Sequence, residues 1–207
     1  MGMRDNDKTI LAYEADAQGY VDKTPTQMAG DKKAWVDLAL SMIGPTARIL
    51  ELGSGFGRDA DYIESQGFTV QRSEAAKSFI KFMEQGGHTP ILLNAITEDY
   101  GGPYDLIFAN AVLLHFTSSE TATVMKKTIS ALAPNGLFAF RLKAGDGSEW
   151  DKSMKLPRLM QYWHPDDLKK VVTENGFHIV SFETGHSTYN KFTWLQVIAQ
   201  KEQTKAP

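Results

Sequence analysis

The stretch ILELGSGFGRDADYIESQGFTV, from Ile49 to Val70, decides the fold class of this chain. A short apolar run comes first and predicts a buried β-strand over Arg48 to Leu52, and the amphipathic residues from Arg58 to Gln66 predict a helix. Between the two lie three glycines, at positions 53, 55 and 57. Glycine tolerates positive φ and has no Cβ, so such a loop lets the backbone approach a ligand closely.

The alternation of strand-like and helix-like periods continues on both sides of this stretch. Continuous apolar strands between amphipathic segments predict an α/β sheet covered by helices on both faces. The final two strands are joined too closely for a crossover helix, so they are expected to pair antiparallel. The predicted fold is a Rossmann-like, doubly wound, seven-stranded sheet, mostly parallel, with an antiparallel C-terminal strand. The predicted strands after the first are Phe68–Glu74, Pro90–Asn94, Tyr104–Val112, Leu137–Lys143, His178–Thr184 and Phe192–Gln200, and further helices are expected to begin near Asp31 (as N-cap), Ala76, Ser118 and Pro165.

The length of 207 residues predicts a single domain over 1–207. Residues 144–163 form an irregular stretch rich in glycine, charge and aromatic residues, too long for a simple connection. We interpret it as a substrate-side insertion. Residues 1–30 precede the fold and are interpreted as an N-terminal lid or, alternatively, as a terminal helix with an ordinary packing role.

Composition excludes several classes of function. The chain has a net charge of −3 and no cysteine, so it has no nucleic-acid signature, no disulfide and no thiolate metal site, and we expect no metal. No apolar run approaches the roughly 20 residues that cross a bilayer, and the polar N-terminus is no secretory signal. We therefore expect a soluble cytoplasmic protein that binds no membrane. The oligomeric state stays open.

Polar residues end three further predicted strands. Glu74 ends the second strand, where an acid can accept both hydroxyls of a ribose; alternatively it is a solvated loop carboxylate. Asn94 ends the third strand and is placed to meet an adenine amino group, and Asn110 interrupts the apolar fourth strand. A polar group in a buried strand needs a partner, which a ligand or a neighbouring loop supplies. Together with the glycine loop, these residues indicate a nucleoside-containing cofactor.

The glycine pattern narrows the choice of cofactor. The dinucleotide fingerprint requires G-x-G-x-x-G, whereas Arg58 stands at the third glycine position here and the pattern is E-x-G-x-G-x-G. The chain contains no G-x-x-x-x-G-K-[ST], so no phosphate-binding P-loop is expected.

The segment ILELGSGFGRDA resembles motif I of the class I S-adenosylmethionine-dependent methyltransferases. The segments YDLIFANAVLLHF (Tyr104 to Phe116) and ALAPNGLFAFRL (Ala131 to Leu142) resemble the family's fourth-strand and fifth-strand motifs. The resemblance implies that S-adenosylmethionine is the cofactor, with the glycine loop at its methionine part, Glu51 orienting that loop or meeting the amino group, and Glu74 at the ribose. The implied cofactor-binding residues are Tyr20, Glu51, Gly53, Ser54, Gly55, Gly57, Glu74, Ala75, Asn94, Ala95, Ile96 and Asn110. The sequence departs from the family in Gln71, Arg72 and Ser73, where small or apolar residues are usual.

The methyl acceptor is less visible in the sequence. The fourth-strand motif has Asn110-Ala-Val-Leu and not Asn-Pro-Pro-aromatic, which argues against methylation of nucleic-acid bases or glutamine. We therefore expect a small-molecule acceptor. His115 is a candidate base, or alternatively a loop residue bonded to backbone, and the catalytic residues remain unknown. The other candidate pocket residues are Arg141 and Lys143, which suit an anionic substrate or else extend to solvent. Trp150 and Trp163 are interpreted as part of the acceptor pocket, and Tyr13 either faces the cofactor or packs as part of a terminal helix.

Two other functions stay open beside a small-molecule methyltransferase. One is a non-catalytic module that binds S-adenosylmethionine as a sensor or as a subunit of a larger enzyme. The other is an NAD(P)-dependent oxidoreductase, against which Arg58 at the third glycine position argues.

Overall fold

The computed structural model describes residues 2–186 and 192–202. The helices of this part are α1 (Asp5–Ala15), α2 (Ala17–Lys23), α3 (Gly30–Ser41), α4 (Arg58–Ser65), α5 (Lys77–Gln85), α6 (Ser118–Ala131) and α7 (Pro165–Glu174), with one 3-10 turn at Leu113–His115. The strands are β1 (Arg48–Leu52), β2 (Thr69–Glu74), β3 (Ile91–Leu92), β4 (Tyr104–Asn110), β5 (Leu132–Lys143), β6 (Ser148–Asp151), β7 (Arg158–Gln161), β8 (Phe177–His186) and β9 (Thr193–Lys201).

Seven strands form one twisted sheet in the order β3-β2-β1-β4-β5-β9-β8. The strands β1 to β5 are parallel, β9 runs antiparallel to β5 and to β8, and β8 therefore points the same way as β1 to β5. The predicted fold class, including the antiparallel C-terminal strand, is confirmed. The strand order reverses between β1 and β4, and ligands of open α/β sheets bind beyond the carboxyl ends of the strands at such a switch point.

Both faces of the sheet are covered by helices. Successive side chains of each buried strand point to opposite faces, so apolar residues on both faces need a helix to pack against. On one face Trp35 of α3 and Ile63 of α4 pack with Phe108 of β4, and the Trp35 and Phe108 ring centroids are 5.0 Å apart. On the other face Val124 of α6 and Leu168 of α7 pack in a cluster that includes Phe138 of β5. These two layers fix the carboxyl ends of β1 and β4 and thereby the loops that follow them.

The first two helices lie over the carboxyl edge of the sheet. The Glu14 carboxylate accepts hydrogen bonds from the backbone N–H groups of Lys77 and Ser78 at the start of α5. Tyr13 and Tyr20 pack against Phe79 of the same helix, with ring centroids 5.8 and 5.5 Å from it. The segment interpreted as a lid therefore rests on α5 through two helices. Its motion stays a prediction, as does the single domain over 1–207.

The stretch 144–163 is more regular than its sequence indicates, and the expectation of an irregular segment is wrong. The strands β6 and β7 within it form a separate antiparallel pair. The backbone N–H of Leu159 in β7 donates to Thr9 Oγ1 of α1 at 3.0 Å, so this hairpin is tied to the first helix. Each strand has only four residues, too few for a clear alternation of polar and apolar residues.

Several boundaries differ from the sequence-based ones, most of them by one or two residues, and three of the differences bear on the structure. Helix α3 has Ala29 as its N-cap, not Asp31, because the Asp31 carboxylate accepts the backbone N–H of His186 instead. Strand β3 has two residues, since the backbone N–H of Asn94 bonds Glu98. Strand β5 begins five residues early, at Leu132, which pairs with Tyr104 before a register shift. The loop between the last two strands, 187–191, lies outside the described residues.

Candidate functional site

The glycine loop after β1 adopts the left-handed backbone that only glycine enters readily. Gly53 has φ +66° and Gly55 has φ +57°. A Cβ on Gly53 would lie 2.6 Å from a Val112 methyl group, whereas a Cβ on Gly55 would meet no protein atom within 4 Å. The bare backbone of Gly55 therefore faces open space, and the loop forms a cradle for something outside the chain.

The neighbouring strand β2 braces this loop. The backbone N–H of Ser54 donates to the Ser73 carbonyl at 2.8 Å, and the Ser73 hydroxyl donates to the Glu51 carbonyl at 2.6 Å. The buried Arg72 side chain donates to the Gly57 carbonyl and pairs with the carboxylates of Asp61 and Glu64. Two of the three residues that depart from the family pattern, Arg72 and Ser73, thus support the loop from behind.

Glu74 is held by backbone donors. Its Oε2 accepts the N–H of Gly55 at 2.8 Å, and its Oε1 accepts those of Ala75 and Ala76 at 2.7 and 2.9 Å. Burial raises the pKa of Glu74, and these three N–H groups partly offset the rise. The alternative of a freely solvated carboxylate does not hold. A carboxylate offers about four acceptor positions, so Oε2 keeps one for a further donor.

Glu51, Asp59 and Asn110 form a buried polar group beneath the loop. Burial, with the nearby Asp59 charge, raises the pKa of Glu51 to about 8. Asp59 pairs with Arg58 and Lys32 at 2.7 and 3.3 Å and accepts from the Asn110 amide, and these partners lower its pKa to about 2. The buried Glu51 Oε2 and Asn110 Oδ1 have no hydrogen-bond partner among the described residues. Each is an acceptor that a bound donor would satisfy.

The first helix contributes to the opposite wall through Asn6. Its side-chain oxygen accepts from Asn94 Nδ2 at 2.9 Å. The Asn94 oxygen in turn accepts the backbone N–H of Ile96, and the Ile96 carbonyl accepts from Lys127. The amide of Asn94 is thus fixed in orientation by α1 on one side and by its own loop on the other.

His115 is locked by two hydrogen bonds. Its Nδ1 lies 2.7 Å from the Leu159 carbonyl, which can only accept, so Nδ1 carries the proton. Its Nε2 lies 2.7 Å from the Tyr13 hydroxyl, and that oxygen accepts from Arg158 Nη1 at 2.7 Å. Burial and the Arg158 charge lower the pKa of His115 to about 3, so the ring is neutral. Because its Nε2 lone pair is taken by Tyr13, the arrangement favours a positioning role over a general base.

These groups surround a cavity of about 680 Å³, including its open mouth, which we call the first cavity. Eight of the residues predicted to bind the cofactor line it, together with Tyr13 and His115 from the predicted substrate pocket. The eight are Tyr20, Gly53, Gly55, Glu74, Ala75, Asn94, Ala95 and Asn110. Glu51, Ser54, Gly57 and Ile96 lie behind this wall.

A second cavity adjoins the first and shares Tyr20, Asn110 and Ala111 with it. Arg141 lines the second cavity. Lys143 is buried with its Nζ 3.5 Å from the Phe192 ring centroid and lines neither cavity. Trp150 lies on β6 beneath Lys8, and Trp163 is buried in the core beside β5. The substrate roles of these four residues stay predictions.

Several lining residues carried no sequence signal. Asn6 and Thr9 of α1 lie in a polar segment without a motif, and Arg158 follows a proline in a hairpin of two short strands. Val112 and Ala111 belong to the quoted fourth-strand motif but were not singled out. Ala111 has φ +60°, a sparsely populated conformation for a residue with a Cβ, and such residues concentrate at functional sites.

One acidic cluster of the described residues has the spacing of metal ligands: Asp61, Glu64 and His88. The Arg72 guanidinium already occupies it, 2.7 Å from Asp61 and 2.6 Å from Glu64. Within the described ranges, no helix combines the length and apolarity of a membrane span.

Residues 24–182 match a family model described as a methyltransferase domain. The chain belongs to this methyltransferase family. Its predicted membership in the class I S-adenosylmethionine-dependent methyltransferases is thereby confirmed. A search of curated proteins gives no significant match.

Solved structures of methyltransferases share the fold of this chain. The 1,6-didemethyltoxoflavin-N1-methyltransferase of Burkholderia thailandensis, solved with 1,6-didemethyltoxoflavin and S-adenosylhomocysteine, has 17% identity and a TM-score of 0.76, over 98% of this chain and 92% of that one. Magnesium protoporphyrin IX methyltransferase of Synechocystis, with bound S-adenosylmethionine, has 14% identity and a TM-score of 0.70, over 98% and 100%. The [4+2]-cyclase SpnF has 13% identity and a TM-score of 0.73, over 98% and 97%.

The residues of the first cavity fit S-adenosylmethionine. The unpartnered acceptor Asn110 Oδ1 belongs to a lining residue and is suited to an ammonium group, and Glu74 Oε2 keeps an acceptor position on the cavity wall. The space in front of Gly55 accommodates a ligand against bare backbone. The ring of Tyr20 supplies an aromatic face, which suits a sulfonium cation as it suits ammonium.

Proposed function

We propose that this methyltransferase holds S-adenosylmethionine in the first cavity and a small-molecule acceptor in the second. The observation that carries the proposal is that the two cavities meet at Tyr20, Asn110 and Ala111, beside the glycine loop. Methyl transfer is an in-line displacement, so the acceptor atom must face the methyl carbon directly, and the proposal requires the two cavities to open into each other at these shared residues.

Each wall of the first cavity has a role in holding the cofactor. The glycine loop with Glu51 and Asn110 receives the methionine part, Glu74 receives the ribose hydroxyls, and Asn94 with Ala95 borders the adenine. When bound, S-adenosylmethionine supplies a methyl group that its own sulfonium makes reactive. The chain orients the two reactants and excludes water, and α1 and α2 do the latter by covering the edge.

No general base is assigned. The lone pair of His115 Nε2 is engaged by Tyr13, and its pKa of about 3 keeps the ring neutral. We propose that His115 and Arg158 fix Tyr13 against the cofactor side of the pocket. A nucleophile that loses its proton late in the displacement needs no such base.

The structural neighbour named as a [4+2]-cyclase shows that this fold alone does not establish methyl transfer. Calorimetric titration with S-adenosylhomocysteine, followed by an acceptor screen that measures S-adenosylhomocysteine production, tests the proposal. We expect binding and turnover with at least one acceptor. Binding without turnover throughout a broad screen would favour the non-catalytic module, and binding of NADH in a fluorescence titration would favour the oxidoreductase. The cytoplasmic location stays a prediction, which fractionation of cells tests.

A further inference from the structure

The second cavity contains a buried cation that the fold does not neutralise. Arg141 is 8% exposed and lines the cavity near the end of β5. Within the described residues no carboxylate lies within the 4.0 Å of an ion pair, and its Nε has no hydrogen-bond partner. Its guanidinium carbon lies 4.1 Å from the Trp194 ring centroid, so one face of the group is covered by an aromatic ring.

The other cations of this cavity differ from Arg141, because Lys23 is exposed to solvent and Lys32, Arg58 and Arg158 each have a carboxylate partner. Lys32 and Arg58 share Asp59, and Arg158 pairs with Asp151 at 2.9 Å. Asp31, which also lines the cavity, is exposed, and its carboxylate accepts the His186 N–H. Among the described residues of the cavity wall, Arg141 is therefore the buried cation without a direct carboxylate partner.

An unpaired buried charge destabilises a folded protein unless a partner arrives. Burial lowers the pKa of Arg141 to about 10, although the charges of Asp59 and Asp31, which form no direct ion pair with it, act in the opposite direction. An arginine with a purely structural role is expected to pair with a carboxylate, as Arg72 pairs with Asp61 and Glu64. The fork of N–H donors in arginine matches carboxylate and phosphate oxygens.

We propose that the methyl acceptor carries an anionic group, a carboxylate or a phosphate, that Arg141 binds in the second cavity. Arg141 pairs across the sheet with Asn110, and its carbonyl accepts the Ala111 N–H at 2.9 Å. The anionic group is thus anchored next to Asn110 and Ala111, where the two cavities meet. This inference rests on the proposed function, since it assigns the second cavity to the acceptor.

The test uses NMR titration to measure how tightly benzoate, benzamide and inorganic phosphate bind to the protein saturated with S-adenosylhomocysteine. Benzoate and benzamide have nearly the same shape and differ in charge. We expect the wild type to bind benzoate about tenfold or more tightly than benzamide, and Arg141→Met to lose that preference. Phosphate distinguishes a tetrahedral anion site from a planar one. The proposal would be overturned if the wild type bound neither anion more tightly than benzamide. It would also be overturned if the preference were undiminished in Arg141→Met.

The thermal stability of Arg141→Met distinguishes a ligand-binding role of Arg141 from a structural one. Because Arg141→Met removes an unpaired buried charge, we expect its thermal midpoint to stay the same or to rise. A clear fall would assign Arg141 to the fold and contradict the proposal. Arg141→Lys, which keeps the charge without the fork, is expected to retain a weaker preference for benzoate. Arg48→Met removes an exposed arginine at the opposite end of the strands and should change nothing. If the wild type did not bind S-adenosylhomocysteine, the proposed function would be refuted separately. The preference for benzoate over benzamide would then still be measurable on the ligand-free protein.

Discussion

Glu51 has a carboxyl group whose pKa, at about 8, lies above its ordinary value of 4.5. Between these two pH values the folded protein keeps a proton that the unfolded chain has released, so Glu51 makes the protein less stable as pH rises through this range. Asp59, with a pKa of about 2, contributes stability that is lost only as pH falls toward that value, outside the range. The cause of the Glu51 shift is burial, which favours the neutral form.

The variant Glu51→Gln tests this linkage. It keeps the shape of the side chain without the titrating proton, so the ligand-free variant should lose less stability than the wild type between about pH 5 and about pH 9. The difference should reach at least about 1 kcal/mol, because one unit of pKa shift corresponds to about 1.4 kcal/mol. Urea unfolding at both pH values measures it. Parallel pH profiles for the two proteins would contradict the assignment of the shift to Glu51.

Glu74→Ala tests the proposed ribose contact. If Glu74 accepts the ribose hydroxyls, the variant should bind S-adenosylhomocysteine more weakly by about 1–3 kcal/mol in a calorimetric titration. Part of that loss would come from the loop, because Glu74 also holds the N–H of Gly55. A double-mutant cycle separates the two effects: the 2′-deoxy ligand should bind the wild type more weakly than S-adenosylhomocysteine but bind the variant about equally. An equal penalty in both proteins would place Glu74 away from the ribose.

The sequence predicts individual residues best where the chemistry is local. The glycines and Glu74 were found because their spacing is set by one strand, one turn and the start of one helix. Arg72 was recognised only as a departure from the family pattern. Its partners Asp61 and Glu64 lie 11 and 8 positions away in α4, and a single sequence does not show that they meet.

Among the elements, the glycine loop gives the sharpest prediction. A side chain at Gly55 meets no protein atom, so Gly55→Val places its methyl groups in the first cavity and should abolish detectable S-adenosylhomocysteine binding. The matched control is Gly67→Val at the end of α4, which also has positive φ and open space but lies outside the cavity. Both variants should lose stability through backbone strain, by about 1–2 kcal/mol, while only Gly55→Val loses binding, measured by calorimetry. Equal affinities would show that the loop does not hold the cofactor.

Element length explains which parts of the architecture the sequence predicts. The helices α3 to α7 and the strands β1, β2, β4, β5, β8 and β9 each contain enough residues to display a period. The strands β6 and β7 are too short for this. Helix α1 is polar along most of its length, and its buried polar residues Thr9 and Asn6 attach it to β7 and to Asn94, respectively, without an apolar stripe that would predict these contacts.

For the whole molecule, topology was predictable and the second cavity was not. The parallel strands and the position of the switch point follow from the order of strand-like and helix-like segments. The second cavity joins residues from α2, α3, β5 and the hairpin segment, which are more than 100 positions apart at the extremes. Arg141 was a candidate for an anionic substrate, but its burial without a carboxylate required the three-dimensional structure.

A ligand that binds only the folded protein stabilises the whole molecule by mass action. At a concentration of S-adenosylhomocysteine about 100 times its dissociation constant, the gain is about 2.7 kcal/mol. For a domain of this size about 1 kcal/mol shifts the thermal midpoint by roughly 2–4 °C, so we expect a rise of about 5–11 °C in differential scanning calorimetry. NADH at the same concentration should leave the midpoint unchanged, because Arg58 stands where the dinucleotide loop requires a glycine. The Gly55→Val variant should show no rise with either compound. An equal rise with NADH would mean that the first cavity accepts any adenine nucleoside, and the assignment of its glycine loop to the methionine part would then be wrong.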